Sequence, residues 1–117
     1  MIYTLTLSPS SDLFISSQNF ELSKVNRYQK FELLPGGKGL NASIILQRNR
    51  FKNQAITTFD KPTFLSFQHF FNQEKLNIFN VNNPSKTRIN IKCYGQNQTF
   101  ELNGPKAKIA NTKLLQF

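Results

Sequence analysis

The chain has 117 residues, enough for one small domain or part of a larger one. Fifteen Lys and Arg against six Asp and Glu give a net charge of +9, and 14 Asn plus 9 Gln supply most of the remaining polarity. No apolar run approaches the ~20 residues of a membrane helix, and the single cysteine, Cys93, excludes an internal disulfide and a multi-cysteine metal site.

Residues 2–7 alternate Ile2, Thr4 and Thr6 with Tyr3, Leu5 and Leu7, which predicts a strand that Pro9 stops. Ser8-Pro9-Ser10-Ser11-Asp12 reads as a turn-forming cluster. Two extended stretches follow, at 13–15 and 25–34, neither with a helical stripe. Pro35-Gly36-Gly37-Lys38-Gly39 breaks the chain, and Leu40, Ile44, Ile45 and Leu46 then recur at helical spacing to about residue 50. A short strand at 55–59, a helix from about 64 to 75 opened by Asp60-Lys61-Pro62-Thr63, and a strand at 77–81 come next.

The clearest β signal is residues 88–94. Ile89, Ile91 and Cys93 face one way, and Arg88, Asn90, Lys92 and Tyr94 the other. Gly95-Gln96-Asn97 predicts a hairpin turn with an antiparallel return at 98–102, and residues 109–117 read as the start of a helix. The N-terminus lacks the basic flank and apolar block of a secretory signal, so a soluble, cytoplasmic protein is expected.

A charge of +9 suits an anionic partner, but its distribution argues against nucleic acid. Only Arg48, Arg50 and Lys52 cluster tightly, and no stripe of alternating basic and aromatic residues follows a phosphate backbone. His69 has no Ser, Cys or Asp partner at a telling distance and reads as a packing or surface residue. Cys93 reads as a buried small hydrophobe, and Asp60 and Glu74 read as residues serving helix ends.

Gly36-Gly37-Lys38-Gly39-Leu40-Asn41 lies between an extended segment and a helix. Glycines there let the backbone approach a ligand, the helix N-terminus offers a partial positive charge, and Lys38 adds a full one. Asn41 adds an amide able to bond a hydroxyl. A tight turn accounts for the glycines equally well, and the P-loop spacing is absent.

Five motifs occur in order: residues 2–12 ending in Asp12, Val25-Asn26-Arg27, Pro35-Gly36-Gly37-Lys38-Gly39-x-Asn41, Thr87-Arg88-Ile89-Asn90-Ile91-Lys92, and Glu101-x-Asn103-Gly104-Pro105. Together they resemble the N-terminal portion of the PfkB (ribokinase-like) carbohydrate kinases, with the bacterial 1-phosphofructokinase branch first and the tagatose-6-phosphate kinases next. The resemblance implies an α/β fold, the start of a Rossmann-like parallel core plus a small antiparallel β-sheet lid, with the core incomplete. Residues 1–117 would form the N-terminal part of one kinase domain. Core segments are expected at about 1–12, 35–83 and 104–117, and lid segments at about 13–34 and 84–103.

The same resemblance implies that Asp12 takes sugar hydroxyls and that Gly36, Gly37 and Asn41 form the sugar-binding motif. Lys38 and Arg88 match positions near the sugar's phosphate, Asn90 and Asn103 lie on lid strands beside the cleft, and Arg27 is a lid candidate. The parent reaction would be ATP-dependent phosphorylation of fructose 1-phosphate to fructose 1,6-bisphosphate, with tagatose 6-phosphate the alternative substrate. A homodimer through the lid is the candidate assembly. From another class, a non-catalytic sugar-phosphate-binding or lid-interaction module is the competing reading.

Departures from the family pattern are equally specific. Ser8 stands where the family usually has Asn, and Asp60-Lys61-Pro62-Thr63 replaces a glycine-rich loop. The N-x-x-E segment associated with magnesium, the ATP loops and the GxGD motif with its general base have no counterpart, and Asn111-Thr112-Lys113-Leu114 matches N-x-x-E only by chance. ATP and Mg2+ are therefore expected for a full-length parent, with no catalytic residue, metal ligand or cofactor in these 117 residues.

Overall fold

In the computed structural model of the protein, residues 1–106 are described. The expected helix at 109–117 and the 111–114 segment lie outside them. In chain order the elements are β1 (Ile2–Thr6), β2 (Ser10–Ser16), β3 (Lys30–Gly36), α1 (Lys38–Arg48), β4 (Asn53–Thr57), α2 (Lys61–Ser66), α3 (Gln68–Gln73), β5 (Ile78–Asn80), β6 (Arg88–Gly95) and β7 (Gln98–Asn103).

Two sheets divide them. The first is parallel, in the order β1-β4-β5, and the second runs β3-β2-β6-β7. The second sheet corrects the expectation of a purely antiparallel lid. β2 pairs with β3 and β6 with β7 antiparallel, but the central pair, β2 with β6, is parallel. The reason lies in the first sheet: β2 follows β1 and β6 follows β5, and those two core strands run in the same direction. Chain leaving the same ends of parallel strands enters the second sheet in the same sense.

On β1 the threonines, not the leucines, turn toward the helix. Thr4 and Ser43 hydroxyls meet at 2.5 Å, and Thr6 Oγ1 accepts the backbone N–H of Leu40 at 2.8 Å. The core behind them is Leu40, Ile44, Ala55, Phe59, Phe67 and Phe71, with Phe64, Phe70, Leu76 and Ile78 packed around it. Phe59 is its hub, its ring centroid 6.2–6.3 Å from those of Phe64, Phe67 and Phe71. Ile45, grouped with the core by spacing, is exposed instead.

The expected single helix at 64–75 is two short ones, divided at Phe67 with φ −100° and ψ 8°. Ser66 Oγ donates to the Thr63 carbonyl at 2.6 Å, a side-chain bond that competes with the backbone ladder and bends helices. Asp60 caps α2 by accepting the Thr63 N–H at 3.2 Å. Glu74 caps α3 and also pairs with Arg48 of α1, so Arg48 belongs to an ion pair rather than a merely solvated helix end. The hydrogen bond from Arg48 holds the Glu74 carboxyl below its ordinary value.

The strand expectations at 2–7, 55–59, 77–81 and 88–102 correspond to β1, β4, β5 and the β6–β7 hairpin, whose turn includes Asn97 at φ 62°. The supposed turn at 8–12 differs. β2 already begins at Ser10, because Ser10, Ser11 and Asp12 are paired on both sides, to β3 and to β6.

Candidate sugar-phosphate site

The register of the second sheet builds the site. Asp12 lies opposite Leu34 on one side and Asn90 on the other, and Asn90 lies opposite Asn103. Asp12, Asn90 and Asn103 therefore occupy one row across three strands. The next row is Gly36, Ser10 and Arg88. Because successive strand residues alternate faces, these two rows share one face of the sheet.

Within that face the contacts are specific. Ser10 Oγ donates to Asp12 Oδ1 at 2.7 Å, and Asn90 Nδ2 donates to the same oxygen at 3.3 Å. Asn90 Oδ1 accepts the backbone N–H of Gly104 at 3.1 Å. Arg88 Nη2 donates to the Ser8 carbonyl at 3.1 Å, while its buried Nε has no hydrogen-bond partner.

Gly36 has no room for a side chain. A Cβ there would overlap Asp12 Oδ2 and stand 2.7 Å from both Asp12 Cγ and Ser10 Oγ. Gly37, at φ 131°, turns the chain from β3 into α1, a conformation that favours glycine. α1 starts one residue later with no acidic residue in its first turn and no side-chain cap from Gly37. Its N-terminal partial charge is thus two residues along the chain from the glycine that touches Asp12.

The structure brings Asp12, Gly36, Arg88, Asn90 and Asn103 onto that face, with Gly37 joining it to α1. Lys38 and Asn41 are exposed in the first turn and a half of α1. Arg27 is not with them. It lies in the link between β2 and β3, where its carbonyl accepts from Ser17 Oγ at 3.2 Å. That link leaves β2 after Ser16, four residues and ~13 Å of strand beyond Asp12.

Sequence reasoning missed Ser10, Asp12's nearest hydrogen-bond donor. Reading 8–12 as a turn hid the i, i+2 relation that a strand starting at Ser10 would have revealed. Among the described residues no group of three or more His, Cys, Asp or Glu could hold a metal ion.

No family model matches the chain. It is 32% identical over 117 residues to the 1-phosphofructokinase of Bacillus subtilis, covering 100% of this chain and 38% of that protein. It is 31% identical over 109 residues to the D-tagatose-1-phosphate kinase of Klebsiella oxytoca, covering 93% of this chain and 36% of that one. The tagatose kinase among these relatives is thus named for the 1-phosphate, not the 6-phosphate. Phosphofructokinase-2 of Escherichia coli, solved in complex with substrates and products, superposes with a TM-score of 0.89 at 22% identity, covering 98% of this chain and 38% of that structure. The chain spans about 38% of the length of the Bacillus relative it matches. Over its whole length it is related to the N-terminal part of the ribokinase-like (PfkB) phosphofructokinases, and it carries that part of their fold.

Proposed function

We propose that this chain supplies the sugar-phosphate-binding portion of an ATP-dependent kinase that converts fructose 1-phosphate to fructose 1,6-bisphosphate. The observation that carries this reading is the convergence of a carboxylate, two amides and a guanidinium, Asp12, Asn90, Asn103 and Arg88, in two adjacent rows beside the N-terminus of α1. Asp12 suits sugar hydroxyls as an acceptor. Arg88 and Lys38 suit a phosphate, whose roughly two negative charges exceed the ~0.5 positive charge of one helix end. Gly36 lets ligand and carboxylate share space that any side chain would fill.

The chemistry of phosphoryl transfer lies elsewhere in this reading. It depends on metal, backbone donors and a positioned base, and ATP and Mg2+ belong to the whole kinase. No step through either is assigned to residues 1–106.

The second sheet's other face bears exposed Phe31, Leu33, Ile89, Phe100 and Leu102, a surface suited to a second copy in a homodimer formed through the lid. A solved form of Escherichia coli phosphofructokinase-2 is tetrameric. No helix among the described residues is long and apolar enough to cross a membrane, and the reading places the enzyme in the cytoplasm.

The test is a calorimetric titration of the purified chain, beside Arg88→Ala and Asp12→Asn, with fructose 1-phosphate, tagatose 1-phosphate, tagatose 6-phosphate and free fructose. Arg88→Ala is expected to weaken the preferred sugar phosphate about tenfold or more, the loss of a ~1.5–3 kcal/mol charged contact. Asp12→Asn is expected to erode discrimination between sugars while keeping affinity for phosphate. Equal affinity of all three proteins for the preferred ligand would remove the site assignment.

A further inference from the structure

Asp12 is held asymmetrically. Its Oδ1 receives two donors, Ser10 Oγ at 2.7 Å and Asn90 Nδ2 at 3.3 Å. Its Oδ2 instead lies against Gly36, where a Cβ would overlap it. A carboxylate has about four lone-pair sites, and the two bonds at Oδ1 turn Oδ2 toward the bare backbone of the β3–α1 junction.

The shorter of those two donors comes from a residue with no access to ligand. Ser10 is 1% exposed, locked between Gly36 on β3 and Arg88 on β6. Its hydroxyl is spent on Asp12 rather than on the backbone, so an alanine there would keep the packing and lose only the donor. Asn90 is a weaker restraint, its bond longer and its own oxygen tied to Gly104.

We infer that Ser10 is a positioning residue that fixes the rotamer of Asp12, and thereby selects Oδ2 as the oxygen that reads a substrate hydroxyl. The inference deepens the proposed function and rests on it for the identity of the ligand. Ser10 itself touches no substrate. It acts by confining the carboxylate to one orientation before binding, which removes the ordering cost that a freely rotating side chain would pay on binding.

The test has two arms on the purified chain. The first measures the Hα–Hβ scalar couplings of Asp12 by NMR without ligand. The expected result is one χ1 rotamer in the unaltered chain and averaging over several in Ser10→Ala. The second titrates both proteins with fructose 1-phosphate and its 3-deoxy and 4-deoxy analogues. Ser10→Ala is expected to weaken fructose 1-phosphate roughly fivefold to tenfold, with little change for the analogue lacking the hydroxyl that Asp12 reads.

A single Asp12 rotamer in Ser10→Ala, or an equal loss for all three ligands, overturns the inference. If the unaltered chain binds none of these sugar phosphates, the proposed function falls, and the couplings still decide for or against Ser10. Should Ser10→Ala fail to fold, Ser10→Cys fills the space with a much weaker donor, and an unaveraged Asp12 in that variant overturns the inference equally.

Discussion

Asp60 and Thr87 hold each other reciprocally: Asp60 Oδ1 accepts the Thr87 N–H at 2.9 Å, and Thr87 Oγ1 accepts the Asp60 N–H at 3.1 Å. With Thr63 N–H on the other carboxylate oxygen, one side chain both caps α2 and fixes the segment entering β6. The residue next to Thr87 is Arg88, so this clasp sets where the strand bearing Arg88 and Asn90 begins. Where the resemblance implies a glycine-rich loop, this chain has a clamp.

Asp60→Ala is therefore expected to lower stability by about 1–2 kcal/mol, the range for a lost N-cap acceptor, and by more if the Thr87 amide is left unpaired. Chemical denaturation with Asp60→Ala and Thr87→Val side by side measures this, since Thr87→Val removes the hydroxyl that accepts the Asp60 N–H and keeps the backbone donors. A Thr87→Val midpoint equal to that of the unaltered chain would show that the Thr87 hydroxyl contributes nothing.

The same clasp sets a pH dependence. Burial pushes the Asp60 carboxyl up, but hydrogen bonds from Thr87 and Thr63 pull it down further, from 3.8 to about 2. A group with a depressed folded value stabilises fully above its unfolded value, and that contribution drains away as pH falls through the folded one. Between about pH 4 and pH 2, Asp60→Asn should lose stability less steeply than the unaltered chain. Denaturation midpoints across that window would contradict the assignment if the two slopes matched.

Phe59, fully buried among Phe64, Phe67 and Phe71, is the residue whose truncation should cost most. Phe59→Ala is expected to destabilise by ~3–5 kcal/mol, transfer and cavity terms together. Phe79→Ala, at an exposed position on the other side of the parallel sheet, is the control and should cost far less. Equal midpoint shifts in urea would place the core elsewhere.

Gly36→Ala adds one methyl group where Asp12 Oδ2 already lies. Displacing that carboxylate is expected to reduce sugar-phosphate affinity at least tenfold, with a stability cost of about 1–3 kcal/mol for the overpacking. Calorimetry with fructose 1-phosphate checks the first figure and urea unfolding the second. Retained affinity would mean that Asp12 does not contribute its Oδ2 to the ligand.

Among the described residues the parallel sheet is covered on one face only, by α1 and the core it shares with α3. On the other, Leu5 lies beside Ile56 and Ile56 beside Phe79 in one row, and Tyr3 and Leu5 are more than half exposed. Parallel sheets ordinarily have both faces covered, and apolar patches of this kind drive association. This chain is expected to self-associate, and Leu5→Lys with Phe79→Lys to reduce it. Sedimentation velocity decides, and a monodisperse monomer in the unaltered chain would refute the expectation.

How much of this was legible in the sequence follows the range of each interaction. Alternation at residues 88–94 determined a strand and sorted Arg88 and Asn90 from Ile89 and Ile91, because side-chain period is a local property. The glycines at 36 and 37 marked a backbone close approach before a helix, and the ordered motifs marked the family. The assembly of the site was not local. Asp12 meets Asn90 across a sequence separation of 78, in a register fixed by β2 and β6 leaving the same ends of two parallel core strands. Ser10 became visible only with that pairing, since its sequence neighbours, Pro9 and Ser11, read as a turn. Arg27 shows the converse: its motif fitted the family, but within one chain the link that carries it lies beyond the far end of β2. Composition and period determine which residues can form a face; only the packing of distant strands decides which faces meet.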